Sequence, residues 1–360
     1  MGKLKRMMQI LLLSVLLTGC MNIDQRILDD VQLVTGAAYR YVDDDIIELT
    51  TVFPNYQPDG SVKNETLTTT AILNKENRDK QSLQSEKPMV SGKLEVALYE
   101  RETAEKGIVD LLDTLARDPS IGANIYLAIL DGNPKVVLSK QYGNMDNGIF
   151  LSNLIEQNVE TGLIHKTNLH IFKYKLYAEG IDPMLPIIEQ KEGKLNIKAI
   201  GLFEDDKLVD QIEQEKFFFL TLLLVHKGQK DTYAFKTKEE KKVSIVNIKS
   251  VRKYDIPEPM TNAEIKINMD VKAIIREYSD GTLNKQKIKK IENELKDEIE
   301  KNSEEIIQQF QEKGIDPLGI GEEVRTRTRK WDQKKWKQLY PDIKITVRAK
   351  VKIMETGVIE

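Results

Sequence analysis

The sequence predicts an α+β fold: three tandem mixed α/β modules whose mainly antiparallel sheets are packed by helices. Three observations predict it. The first is a pair of strict alternations in the last hundred residues. Ile265, Ile267, Met269, Val271 and Ala273 alternate with Glu264, Lys266, Asn268, Asp270 and Lys272, and Ile345, Val347, Ala349, Val351 and Ile353 alternate with Lys344, Thr346, Arg348, Lys350 and Lys352. This is the period-2 pattern of strands buried on one face. The second is the stripe between them, Ile288, Ile291, Leu295, Ile299, Ile306 and Phe310, which marks a helix over about 284–313 able to cover both strands. The third is punctuation: proline-bearing breaks at 183–186 and 256–259 divide a chain of 360 residues, longer than a single core usually serves.

In chain order, a basic start (Lys3, Lys5, Arg6) precedes an apolar run from Met7 to Leu17 and then Leu17-Thr18-Gly19-Cys20. The run is too short to span a bilayer and has the pattern of a secretory leader, residues 1–19. Small Thr18 and Gly19 before a cysteine make it a lipoprotein signal. Cys20 is expected to open a 341-residue mature chain, bearing an S-diacylglyceryl group and an N-palmitoyl chain that hold it to the membrane. It is the only cysteine, so an exported chain forms no internal disulfide and rests on its hydrophobic cores.

Residues 31–41 and 46–53 are rich in β-formers and flank Asp43-Asp44-Asp45, which predicts two strands and an acidic turn. The three aspartates lack the alternating ligands and glycine of a calcium loop. Strands are expected at 67–73, 94–99 and 125–130, the last closed by Asp131-Gly132-Asn133-Pro134. Helices are expected within 74–88, at 104–116 with Ile108, Leu111, Leu112 and Leu115 on one face, and at 147–160 and 168–178. The Pro183 to Pro186 region closes a first unit, residues 20–190. A smaller unit, 195–256, reads as a hairpin around Glu204-Asp205-Asp206, an apolar helix over 215–225 and a strand over 242–254. Ile256-Pro257-Glu258-Pro259 reads as a rigid linker into a C-terminal unit, 257–360.

Composition agrees with a globular protein tethered at one end: 40% hydrophobic and 31% charged, with 20 glycines and 11 prolines. The longest later apolar run, Phe217 to Val225, suits a buried helix and not a second span. Net charge is −3, and loss of the three basic residues of the leader leaves about −6, which gives no general attraction to nucleic acid or anionic lipid.

Catalytic signatures are missing from the sequence. His165, His170 and His226 have no metal-ligand spacing, no Gly-x-Ser-x-Gly elbow occurs, and abundant carboxylates single out none. No cofactor is expected. Gly314-Ile-Asp-Pro-Leu-Gly-Ile-Gly321 lacks the Lys-Ser/Thr end of a phosphate loop and reads as a helix stop, with Gly314 past the last turn and Pro317 in the reversal. Arg325, Arg327, Arg329 and Lys330 near Trp331 and Trp336 form the one local basic and aromatic cluster. It reads either as a contact for headgroups or an acidic loop, or as a solvated helix face with tryptophans on the core side.

The Gly314–Gly321 run, Trp331 and Trp336, Tyr340-Pro341 and the last strand before Thr356-Gly357 together resemble the Ger(x)C family, the C subunits of spore germinant receptors. Residues 199–209 and Val31-Gln-Leu-Val-Thr-Gly36 resemble it too, so the likeness runs through the mature chain. It implies a lipoprotein on the outer face of the spore inner membrane, assembled with an A-type subunit and a permease-like B-type subunit. It also implies a part in receptor assembly or signal transmission and no catalysis. Asp316, Pro317, Gly319, Gly321, Arg325, Arg327, Trp331 and Trp336 are the candidate partner contacts. A solute-binding lipoprotein of an importer is the alternative. It would need two doubly wound lobes around a cleft, against which the long one-face-buried strands argue.

Overall fold

A computed structural model describes residues 30–43, 45–225, 227–228, 232–261 and 263–356 of the chain. The leader, Cys20, Asp44 and His226 lie outside the described residues.

The first β-rich run becomes β1 (Gln32–Leu33) and β2 (Gly36–Asp43). Across the acidic turn, β3 (Ile46–Tyr56) returns antiparallel to β2 and β4 (Val62–Ala71) pairs with β3. Helix α1 (Asn74–Ser82) leads to β5 (Met89–Val90), which pairs in parallel with β1, and then to β6 (Val96–Glu100). The helix expected at 104–116 is two helices, α2 (Arg101–Lys106) and α3 (Val109–Arg117). They part at Gly107, φ 124°, where Asp206 offers its carboxylate to Val109 N–H at 2.9 Å and its carbonyl to Ile108 N–H at 3.2 Å. The turn after β7 (Tyr126–Asp131) opens a short helix the sequence reading missed, α4 (Pro134–Leu138), with Asn133 capping Val136 N–H at 3.3 Å and proline at the first position. Helices α5 (Asn147–Glu160) and α6 (Leu169–Tyr177) stand where the periodicity places them, capped by Asp146 and Asn168.

Strands β8 (Met184–Lys191), β9 (Lys194–Glu204) and β10 (Lys207–Glu213) complete one eight-stranded sheet in the order β10-β9-β8-β7-β6-β2-β3-β4. Its centre, β8-β7-β6-β2, is parallel and both flanks are antiparallel. The break near residue 190 therefore falls on a tight turn inside a sheet. The central strands are apolar on both faces, as burial beneath two helical layers requires. Ala97 and Tyr99 pack with α2, α3 and α6, while Val96 and Leu98 pack with α4 and α5.

Helix α7 (Phe217–Leu224) leads into β11 (Lys227–Gly228), β12 (Thr232–Lys236), β13 (Lys242–Asp255) and β14 (Ile265–Tyr278). The 29-residue helix α8 (Lys285–Lys313), α9 (Ile320–Thr326), α10 (Gln333–Leu339) and β15 (Ile345–Thr356) follow. The second sheet runs β11-β13-β14-β15, with β12 also on β13. The two alternating strands are parallel neighbours, Ile265 opposite Ile345, and α8 is their crossover helix; the other pairs are antiparallel. Ile256-Pro257-Glu258-Pro259 is not a link between separate bodies but the loop of the β13–β14 hairpin, whose strands pair from Asp255 and Lys266 onward. Two prolines within three residues interrupt strand pairing in either setting, so the local pattern could not separate the two. Residues 195–256 divide between the sheets, β9 and β10 in the first and β12 and β13 in the second. Helix α7, apolar on every side, lies in a core that runs unbroken from the α4–α5 face of the first sheet to the second sheet and α8.

Candidate functional site

The C-terminal candidate residues meet a segment of the first half of the chain. Helix α8 stops at Gly314, φ 68°, where Gly314 N–H and Ile315 N–H close the last turn on Gln311 O and Phe310 O, the glycine stop the sequence predicts. Asp316 is 3% exposed. Its carboxylate accepts from Ile320 N–H at 3.1 Å and Gly321 N–H at 2.6 Å, closing the turn that opens α9. Its own N–H donates to the Asp182 carboxylate at 2.5 Å, and its carbonyl accepts from Asp182 N–H at 3.1 Å. The exchange clasps two segments 134 residues apart.

Gly180 and Gly321 bring the backbones together. Glu322 N–H donates to Gly180 O at 2.9 Å, and Gly180 has φ 90°. A methyl on Gly180 would sit 2.7 Å from the Gly321 carbonyl carbon, and one on Gly321 would overlap Trp336 Nε1. Trp336 and Tyr340 are buried beneath this crossing with ring centroids 5.5 Å apart. Tyr254 O–H reaches Leu318 O at 3.5 Å and accepts from Arg252 at 2.8 Å, the guanidinium lying over the Tyr254 ring. Beside the clasp is a cavity of about 210 Å³ lined by Glu179, Asp182, Asp316, Trp336, Lys337 and Tyr340 among others.

Burial sets the electrostatics here. It pushes the Asp316 carboxyl up to about 7, against the lowering pull of the N–H groups of Gly321 and Ile320. It raises Asp182 to about 6 and brings the buried Lys175 ammonium down to about 8, with Asp316 and Asp182 pulling the lysine back up. The carboxylates spend acceptor capacity on backbone N–H groups. Among the described residues no group of three or more His, Cys, Asp or Glu is placed to hold a metal ion.

The structure thus brings the two candidate segments together but sorts them. Asp316, Pro317, Gly319, Gly321 and Trp336 are buried within the chain. Arg325 and Arg327 face solvent, paired with Glu322 at 2.7 Å and Glu323 at 3.1 Å on their own helix. Half-buried Trp331 donates from Nε1 to Glu179 at 2.5 Å, its ring 6.1 Å from that of Trp336. Lys175 and Asp182 escaped the sequence reading. Lys175 carried a signal, since it follows Leu169 and Phe172 at spacing three on the apolar side of α6.

Residues 24–190 match the family described as "Spore germination protein N-terminal domain", and residues 198–357 match "Spore germination B3/ GerAC like, C-terminal". The chain is 32% identical over 362 residues to the Bacillus cereus protein named "Spore germination protein GerQC", covering 99% of this chain and 100% of that one. Its fold matches that in "Crystal Structure of the GerBC protein" with a TM-score of 0.56 at 17% identity, covering 92% of this chain and 100% of that one. The two matched families together account for nearly all the described residues, and on that evidence the chain belongs to the Ger(x)C family of spore germination proteins.

Proposed function

We propose that the chain is a non-catalytic C-type subunit of a spore germinant receptor, anchored by lipid on Cys20 and acting in receptor assembly or signal transmission. The observation that carries this reading is 32% identity over the full length of a protein named for spore germination, with both halves of the chain matched in order. The Leu17-Thr18-Gly19-Cys20 signal supports the anchor, its S-diacylglyceryl and N-palmitoyl chains and an extracytoplasmic place on the spore inner membrane. No described helix is long and apolar enough to cross a bilayer. The partners in this reading are the A-type and permease-like B-type membrane subunits. The rim of exposed Arg325 and Arg327 and half-buried Trp331 over the Asp182–Asp316 clasp is the contact to probe first.

Two measurements test it. Affinity capture from detergent-solubilised spore inner membranes is expected to recover an A-type and a permease-like subunit; recovery of transporter components instead would replace the receptor reading with that of a solute-binding lipoprotein. The Cys20→Ala variant is expected to leave the membrane fraction and to impair germination. Retention there with unchanged germination would refute the anchor.

A further inference from the structure

Among the described residues the second sheet has one covered face and one bare one. Inward residues of β14 and β15 are buried under α8, whereas their alternates are exposed. Pairing register sets the bare face side by side. Lys249 lies opposite Lys272 and Lys272 opposite Lys352, so three lysines stand abreast on three adjacent strands, spanning about 10 Å at the usual strand spacing. One repeat along the strands come Val251, Asp270 and Lys350, and after it Lys253, Asn268 and Arg348. Among the described residues none of these six cations has an acidic partner within 4.0 Å; Asp270 lies among them, and Asp255 and Glu264 stand at the Lys266 end of the face, Glu264 paired with Lys266 at 3.7 Å. A chain with net charge −3 therefore presents a concentrated basic surface.

We infer that this bare sheet face docks on an anionic lipid surface. Five of its six unpaired cations are lysines, spread over three strands with no aromatic side chain among them. Protein interfaces are depleted in lysine and centre on buried aromatic and arginine anchors, and single-strand nucleic-acid surfaces stack bases on aromatic rings. A charged headgroup layer needs only a field of the opposite sign. The β15 edge of the same sheet is already occupied, since Glu304 and Glu300 on α8 accept from the N–H groups of Val347 and Ala349, both at 2.9 Å. Strand addition there is blocked while the face stays free.

The test uses the chain from Met21 on, which lacks the proposed lipid anchor but keeps every described residue, so failure here leaves the receptor reading standing. Cosedimentation is expected with vesicles of phosphatidylcholine containing about 30 mol% phosphatidylglycerol at about 0.05 M salt, to weaken strongly at about 0.5 M, and to be absent with phosphatidylcholine alone. Reversal by Lys249→Glu, Lys272→Glu and Lys352→Glu together is expected to weaken partitioning at least roughly 100-fold. The Lys→Gln triple, checked for an unchanged melting temperature, is expected to fall between the two. No binding to the anionic vesicles, equal binding to neutral ones, or unchanged binding of the Lys→Gln triple would overturn the inference. So would retention on polyglutamate or nucleic acid without affinity for the vesicles.

Discussion

Gly321 has no room for a side chain, because a methyl there would overlap Trp336 Nε1 and lie 2.9 Å from Gly180 Cα, both fixed by burial and backbone hydrogen bonds. Gly321→Ala is expected to cost about 2–3 kcal/mol, measured as a lower urea midpoint at unchanged slope. Asp182 makes a pH prediction. Its folded-state value is raised from 3.8 to about 6, first by burial. A raised acid favours the folded state when protonated, so the penalty of its charge is absent below the unfolded value and complete above the folded one. Asp182→Asn keeps an oxygen for Asp316 N–H and removes the charge. It is expected to match the parent near pH 4 and to exceed it by about 2 kcal/mol above pH 7, read from urea melts across that window; an Asn variant less stable at both ends would show the carboxylate to be needed as a charge. The Gly314 stop was legible because a left-handed helix end favours glycine whatever surrounds it. Asp182 was not, because one aspartate among 57 acids acquires its role only from what buries it.

At the scale of elements, α8 does more than cover the sheet. Glu292, Glu300 and Glu304 lie along one side of it and accept from the N–H groups of Ile353, Ala349 and Val347 at 2.9–3.0 Å, so the helix takes the place of a further strand along an otherwise open edge. Glu300→Ala with Glu304→Ala is expected to cost about 1–3 kcal/mol and to speed hydrogen exchange at Val347 and Ala349 selectively. Unchanged protection there would mean the edge is satisfied in another way. The expected strands and long helices are largely present because period 2 and period 3.6 are local properties of the chain. The split at Gly107 was hidden because its cause, Asp206, lies 99 residues away. The short α4 was missed because a cap and proline followed by a single turn also spell a turn.

At the scale of the whole molecule, the two sheets share one core through α7, so the halves matched as separate families are energetically joined. Phe219, 1% exposed in that helix, tests the joint. Phe219→Ala is expected to cost about 3–5 kcal/mol and to lower a single calorimetric transition. Two resolved transitions, only one of them shifted, would mean that the halves unfold independently. By itself the sequence determined the mixed α/β class, most of the elements, the helix stop at Gly314 and the family, since all of these are written in neighbouring residues, their periods and their motifs. Only the tertiary structure decided that β8, β9 and β10 join the first sheet, that β14 and β15 run parallel, that Asp182 clasps Asp316, and that lysines from three strands stand together on one face of a net-negative chain. The physical reason is common to all four. Strand pairing, burial and the local field are made by residues distant in sequence, and a summed charge or a local period carries no information about which of them become neighbours.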